Sequence, residues 1–166
     1  MRRALFIVVV GVLVIMQVSL VPAMRPLGVV PNVMLPLVIM IGLRATVSQA
    51  LAVALVGGLA MDLSSGTDFG IHTGILVLAA LVTGSVRRAG LSLGGPLLPV
   101  LLVAGLTVLA GIVSLGGLIS AGGLSELTTG LGYVVRELVI NLMVTLGVTP
   151  IVHGLVPDES SLPSIG

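Results

Sequence analysis

The chain has 166 residues, of which 57% are hydrophobic and 8% charged, and its formal net charge is +1. A soluble domain normally carries about 25% charged residues to solvate its surface, so this composition excludes a soluble globular protein. The chain contains no cysteine, which excludes disulfides and thiolate metal sites, and it has no basic cluster with stacking aromatics of the kind that binds nucleic acid.

Six apolar stretches follow one another along the chain, and each is predicted to be a membrane-spanning helix. They cover residues 4–22, 27–43, 46–61, 71–86, 97–118 and 130–152. The first is longer than the apolar region of a signal peptide, about 7–15 residues, so it is expected to remain as an uncleaved span. The sequence therefore predicts an all-α bundle of six transmembrane helices in one domain, residues 1–157, with a short, disordered acidic tail at 158–166.

The second predicted span begins with Pro31 and Asn32. A proline is tolerated there because the first amides of a helix have no intrahelical partner. Pro36 lies one turn further in and is predicted to kink the span and free a carbonyl group, which in a bilayer needs a partner from another helix or from water. Only about seventeen residues separate the flanking arginines, so this span is short or partly re-entrant.

The arginines orient the predicted bundle. Six spans place both termini on the same side of the membrane, and positively charged residues favour the cytoplasmic side. A cytoplasmic assignment of both termini puts five arginines inside and leaves only Arg25 outside and Arg136 within the membrane. The five are Arg2, Arg3, Arg44, Arg87 and Arg88.

A hairpin between the third and fourth spans is the most informative part of the chain. Asp62 ends the third span, where a carboxylate meets the unfavourable end of the helix dipole, so another group is expected to compensate it. Asp68 stands just before the fourth span and is predicted to cap it. His72 follows four residues later, and a local hydrogen bond with Asp68 is favoured over a metal pair or a proton relay.

Small residues concentrate at the same hairpin. Gly66, Gly70 and Gly74 are four residues apart, so they can share one face on which another backbone comes close. Gly58 and Asp62 have the same spacing and also suggest close helix packing. The hairpin is therefore predicted to be a structural or partner-contacting element.

The sixth span contains Arg136, Glu137 and Asn141 inside an otherwise apolar run. Glu137 and Asn141 are four apart and share a face, whereas Arg136 points about 100° away from its neighbour. A charge in the bilayer centre is costly, so Arg136 is expected to pair with a carboxylate on the outer side, either Asp62 or Glu126. The alternatives are a salt bridge that fixes packing, which is favoured, and a ligand-binding or relay group.

Catalytic motifs are missing from the sequence. It has no phosphate-binding GxxxxGK[ST] loop, and neither histidine lies near a nucleophile-elbow motif. The chain is therefore predicted to be no enzyme and to need no metal or cofactor.

Two segments carry a resemblance to a known family. They are VVPNVMLPLVIMIGLRAT, residues 29–46, and GGLAMDLSSGTDFGIHTGILVLAALVTGSVRR, residues 57–88. This pattern resembles MreD, the rod shape-determining membrane proteins of bacteria, in which a Pro-Asn or Pro-Asp opens the second span and a glycine-rich helix ends in Asp. A short glycine-containing loop follows, and the next helix ends in a basic pair. The matching positions are Pro31-Asn32, Gly57-Gly58, Asp62, Gly70 and Arg87-Arg88.

The resemblance implies a scaffold of the cell-elongation machinery in the bacterial cytoplasmic membrane. Its family partner is MreC, a bitopic protein with a periplasmic domain, and the complex is linked to MreB filaments and to RodA with its penicillin-binding transpeptidase. Association of the protein with further copies of itself, as a homo-oligomer, is a further possible interaction. The family is similar in fold to the substrate-binding components of energy-coupling-factor (ECF) transporters. The residues expected either to contact the partner or to have a structural role are Pro31, Asn32, Asp62, Gly66, Gly70 and Gly74.

That similarity also defines the alternative function, a solute- or vitamin-binding transporter component. Such a protein lines a cavity with several groups that recognise the ligand. The chain offers few: Asn32, Gln49, Tyr133, Arg136, Glu137 and Asn141. A scaffold needs only small-residue helix faces and a groove for a partner helix, so the sequence favours the scaffold.

Overall fold

The structure is a computed structural model, and it describes residues 2–19, 32–65, 69–90, 97–122 and 127–155. The described residues form six helices and no strand. The helices are α1 (Arg2–Ser19), α2 (Met34–Arg44), α3 (Val47–Ser65), α4 (Ile71–Arg88), α5 (Leu97–Gly122) and α6 (Leu127–Leu155). The all-α prediction is confirmed for this part of the chain, and α3 to α6 begin within about three residues of their predicted starts. The predicted tail at 158–166 lies outside the described residues.

Within the described residues, three helices are long and apolar enough to cross a membrane. The segments are Val47–Ser64, Leu97–Gly117 and Leu127–Pro150, in α3, α5 and α6. Ile7–Ser19 and Met34–Arg44 are shorter apolar helices. By length and composition the chain is therefore a helical protein of the membrane type.

Helix α2 is the centre of the bundle. Every residue from Met34 to Gly42 is buried, and α2 packs against all five other helices. Its 11 residues span only about 16 Å at 1.5 Å per residue, roughly half of a bilayer core. The helix is therefore enclosed by protein. Because it is buried on every side, it can carry apolar side chains on every face.

The expected kink at Pro36 is wrong. Helix α2 begins at Met34, so Pro36 lies in its first turn instead of one turn inside a longer helix. The carbonyl that a proline leaves without an intrahelical donor belongs to the residue four positions earlier, here Asn32, which precedes the helix. The proline therefore removes no hydrogen bond from α2.

Helices α3 and α4 form the predicted hairpin, and glycines set how closely they pack. A Cβ atom on Gly58 would lie 2.5 Å from the Cα atom of Thr73 in α4. At the other end of α4, a Cβ on Gly84 would lie 2.4 Å from Cγ2 of Val47 in α3. At both contacts between α3 and α4, a side chain on the glycine would meet the facing helix. The predicted close packing at Gly58 is confirmed.

Candidate functional site

The side chain of Asp62 joins the end of α3 to the beginning of α4. Its Oδ1 atom accepts the backbone N–H of His72 at 3.0 Å, and Oδ2 accepts the backbone N–H of Thr73 at 3.1 Å. The hydroxyl of Thr73 also donates to Oδ2, at 2.5 Å. Asp62 is 2% exposed. A carboxylate from one helix thus satisfies the amides that a capping residue of the other helix would normally bind.

This arrangement identifies the group that offsets the unfavourable helix dipole at Asp62, namely the N-terminal end of α4. Its carboxylate lies in the last turn of α3 but directly against the N-terminal end of α4, where the helix dipole favours negative charge. Gly70 occupies the N-cap position of α4 with φ of 100° and has no side chain to cap the helix. The predicted cap, Asp68, lies outside the described residues.

His72 completes this cluster. Its Nδ1 atom lies 3.0 Å from Oδ1 of Asp62, so the histidine pairs with the acid of the preceding helix. The carboxylate is fully buried, whereas 37% of the His72 side chain is exposed. Because Nδ1 faces Asp62, the second ring nitrogen, Nε2, is the one that a ligand can contact.

A second polar cluster holds the beginning of α2 inside the bundle. The backbone N–H of Asn32 donates to Oδ1 of Asn141 at 2.9 Å, and the N–H of Val33 donates to Oε1 of Gln17 at 2.8 Å. The N–H of Leu35 donates to Oδ1 of Asn32 at 3.1 Å. Side chains from α1 and α6 therefore satisfy backbone groups at the start of α2.

Asn141 is the centre of this second cluster. It is fully buried, and its Nδ2 atom donates to Oγ1 of Thr107 at 3.1 Å. Glu137 lies one turn earlier in α6, four residues before Asn141. Sequence reasoning missed Gln17 and Thr107. The available signal was Gln17, the only amide side chain in the first apolar stretch.

A cavity of about 150 Å³ separates the two polar clusters. It lies where α2 and α4 begin, against the second and third turns of α6, with α5 as a further wall. The lining residues are Asn32, Ile71, His72, Ile75, Ala110, Ser114, Tyr133 and Glu137. Ser114 and Tyr133 are exposed, so the cavity can be reached from outside the bundle. It combines one carboxyl group, one imidazole and several neutral polar groups with an apolar wall.

Comparison with known protein families, curated proteins and solved structures finds no match for the chain. In the described part of the chain, no group of three or more histidine, cysteine or acidic residues is arranged to hold a metal ion.

The structure separates Arg136 from the other predicted polar residues of α6. Arg136 is exposed, whereas Asn141 is buried and Glu137 is half-buried. The expected pairing of Arg136 with Asp62 is wrong, because the Asp62 carboxylate faces the first turn of α4. Glu126, the other expected partner, lies outside the described residues.

The residues of the predicted partner surface have different roles in the structure. Asn32 and Asp62 use their side chains inside the bundle, and Gly70 adopts the positive φ of a turn. Gly74 is exposed, and no described atom lies within 4 Å of the position that its Cβ would take. Pro31 and Gly66 lie outside the described residues, so Gly74 is the described member of this set that remains accessible.

Proposed function

We propose that this protein is a non-catalytic membrane scaffold of the MreD type, which binds the transmembrane helix of a bitopic MreC-like partner. The proposal includes six spans with both termini in the cytoplasm and a place in the bacterial cytoplasmic membrane. Through that partner the scaffold would connect to MreB and to the wall synthase pair of RodA and a penicillin-binding transpeptidase. The supporting likeness is the motif pattern of residues 29–46 and 57–88.

The observation that carries the proposal is an exposed face of α6. Gly132, Arg136, Val139, Met143 and Gly147 recur at spacings of three and four residues, so they form one stripe, the α6 outer face. All five are exposed, with Val139 at 47% and Met143 at 67%. No described atom lies within 4 Å of a Cβ placed on either glycine.

A partner helix fits this face better than lipid does. Arg136 lies nine residues after the start of α6, about 13 Å along the helix axis, and a charge facing hydrocarbon is unfavourable by about 2.5–3.5 kcal/mol at the bilayer centre. A carboxylate on a partner helix at the same depth would neutralise it. The two glycines would allow the partner backbone to come close. We therefore expect a single apolar helix with one acidic residue opposite Arg136.

The transporter alternative is less well supported by the geometry. It would place a ligand among Arg136, Glu137 and Asn141, but these side chains do not face one space. Asn141 is fully buried and already binds Asn32 and Thr107. Arg136 lies on the exposed side of the same helix. Only Glu137 lines the cavity.

The proposal is tested by purifying the tagged protein from its native membrane in mild detergent and identifying the bound proteins by mass spectrometry. We expect a bitopic protein with a large extracytoplasmic domain, together with wall synthases. Recovery of paired ATPases with a membrane coupling subunit would overturn the scaffold in favour of the transporter component.

Two variants then locate the interface. Gly147→Leu fills the open position on the α6 outer face, and Arg136→Gln removes the charge, so both should reduce recovery of the partner strongly. Gly116→Leu is the matched control, because Gly116 is also exposed with no described atom within 4 Å but lies on α5. All three variants should retain the elution volume and helicity of the wild type. Equal recovery of the partner with Gly147→Leu and Gly116→Leu would refute the proposed face.

A further inference from the structure

We propose that the cavity between α2, α4, α5 and α6 binds a small organic ammonium group. The proposal concerns a ligand within the bundle, so it is independent of the partner proposed for the α6 outer face. The cavity carries a carboxyl group from Glu137, an aromatic ring from Tyr133 and hydrogen-bond acceptors from Asn32 and Ser114. These are the groups that recognise an amine.

The charge of the lining favours a cation. Among the described residues that line the cavity, Glu137 is the only acidic one and none is an arginine. His72 does not reverse this balance, because Asp62 lies directly behind its ring, with Nδ1 and Oδ1 3.0 Å apart. With Asp62 ionised, the pair carries one negative charge when the imidazole is neutral and no net charge when it is protonated. When Glu137 is ionised, the cavity is negative in both states of His72, and a cation bound beside Glu137 favours that ionised form.

Hydrogen bonding leads to the same ligand class. When the neutral His72 donates from Nδ1 to Asp62, its Nε2 atom is an acceptor toward the cavity. The amide oxygen of Asn32 and the hydroxyl of Ser114 can also accept. A ligand that donates several hydrogen bonds or brings a positive charge satisfies this lining. An anion would face Glu137 without an arginine beside it among the described lining residues.

Size and shape narrow the ligand further. A cavity of about 150 Å³ is comparable to one that holds a benzene molecule, so it accepts a group of about four to seven non-hydrogen atoms. Ethanolammonium and choline fall in this range. The face of a tyrosine ring attracts such cations, and Ile71 and Ile75 supply an apolar wall for their methyl or methylene groups.

The same ammonium chemistry occurs in two sources. One is a free amine in solution, and the other is the headgroup of a phospholipid such as phosphatidylethanolamine or phosphatidylcholine. Ser114 and Tyr133 are exposed at the mouth of the cavity, so a headgroup could enter without passing through the core.

The test uses the full chain in nanodiscs made of phosphatidylglycerol, which has no ammonium group. Choline and its neutral isostere 3,3-dimethyl-1-butanol are titrated by calorimetry. We expect choline to bind and the isostere to bind about tenfold or more weakly, because the isostere lacks the positive charge that the carboxylate and the tyrosine ring attract. Equal binding of the two, or binding of neither, would overturn the proposal.

Substitutions of lining residues test whether choline binds in the cavity. Glu137→Gln keeps the shape of the side chain and should weaken choline binding about tenfold. Tyr133→Phe keeps the aromatic ring and should bind choline like the wild type, whereas Tyr133→Leu should bind it more weakly. The comparison of Tyr133→Phe with Tyr133→Leu tests the site even if Glu137→Gln is unstable. Wild-type affinity in both Glu137→Gln and Tyr133→Leu would refute the site.

The source of the ligand is separated by a second set of nanodiscs that contain phosphatidylcholine. If the headgroup occupies the cavity, the apparent affinity for free choline should fall in these nanodiscs, but not in the Tyr133→Leu variant. An unchanged affinity would support a free amine as the ligand.

Discussion

Oδ2 of Asp62 accepts both the backbone N–H and the hydroxyl of Thr73, a residue of the next helix. Four residues before Asp62, Gly58 lets the backbone of the same threonine approach α3. One helical face of α3 thus supplies both the space and the charge that position the first turn of α4. The hairpin depends on this pairing, and two residues of the same first turn of α4, Ile71 and His72, line the cavity.

The first prediction concerns the charge of Asp62. In Asp62→Asn, the new amide group replaces one oxygen and faces the backbone N–H of Thr73, so a donor meets a donor. We expect the free energy of unfolding to fall by about 1–3 kcal/mol. Thermal unfolding in detergent, followed by circular dichroism, measures this. The control is Ser64→Ala, whose hydroxyl donates only to the carbonyl of Met61 and should matter by less than about 0.5 kcal/mol. Equal melting temperatures for the two variants would contradict the role of Asp62.

The second prediction concerns the close approach at Gly58. In Gly58→Ala, the added methyl group meets backbone atoms of Thr73, which cannot rotate away, so the helices must separate. We expect a loss of about 1–3 kcal/mol in the free energy of unfolding. Gly74→Ala lies on the same hairpin with open space around it and should be neutral or stabilising by up to about 1 kcal/mol, because alanine favours helix. If helix propensity alone decides the stability, Gly58→Ala and Gly74→Ala will both be more stable than the wild type, and this would contradict the role of the close approach at Gly58.

The third prediction concerns Asn141. In Asn141→Leu, the half-buried backbone N–H of Asn32 loses its acceptor and the buried Thr107 loses its donor, so we expect a loss of about 1–3 kcal/mol in the free energy of unfolding. Thr107→Val should have a smaller effect, because it leaves the bond to Asn32 in place. Hydrogen exchange followed by mass spectrometry gives a local readout. Amides at the start of α2 should exchange faster in Asn141→Leu than in Thr107→Val, and the same rate in both would argue against the cluster.

The fourth prediction concerns the turn before α4. Gly70 has φ of 100°, which is unfavourable for residues with a Cβ atom by about 1–2 kcal/mol. Gly70→Ala should therefore lower the melting temperature, and Gly70→Asn should lower it less, since asparagine adopts positive φ more readily. Because no described atom lies within 4 Å of the Cβ position, steric contact does not contribute. Identical effects of alanine and asparagine would show that backbone strain is not the cause.

The sequence predicted the hairpin well because both of its signals are local. Apolar length marks the two helices, and the unfavourable position of Asp62 at a helix end predicts a compensating group. The identity of that group was not available from spacing, because it lies ten and eleven residues away across a turn. The same limit applies to Asn141 and Asn32, which are 109 residues apart.

The central position of α2 was also not predictable from composition. Its sequence is as apolar as a lipid-facing helix, since hydrocarbon and a protein core both favour the same side chains. Hydropathy therefore cannot distinguish the enclosed α2 from the exposed α5. Only the packing of the other five helices around it makes the distinction.

The sequence by itself determined the all-helical, membrane-type class, the starts of α3 to α6 to within about three residues and the need to compensate Asp62. These follow from hydrophobicity and from the dipole of a single helix, which are properties of contiguous residues. The tertiary structure alone decided that α4 supplies the compensation, that α2 lies at the centre, and that Arg136 faces outward while Glu137 faces a cavity. Each of these depends on which helices become neighbours, and that is set by the packing of the whole bundle.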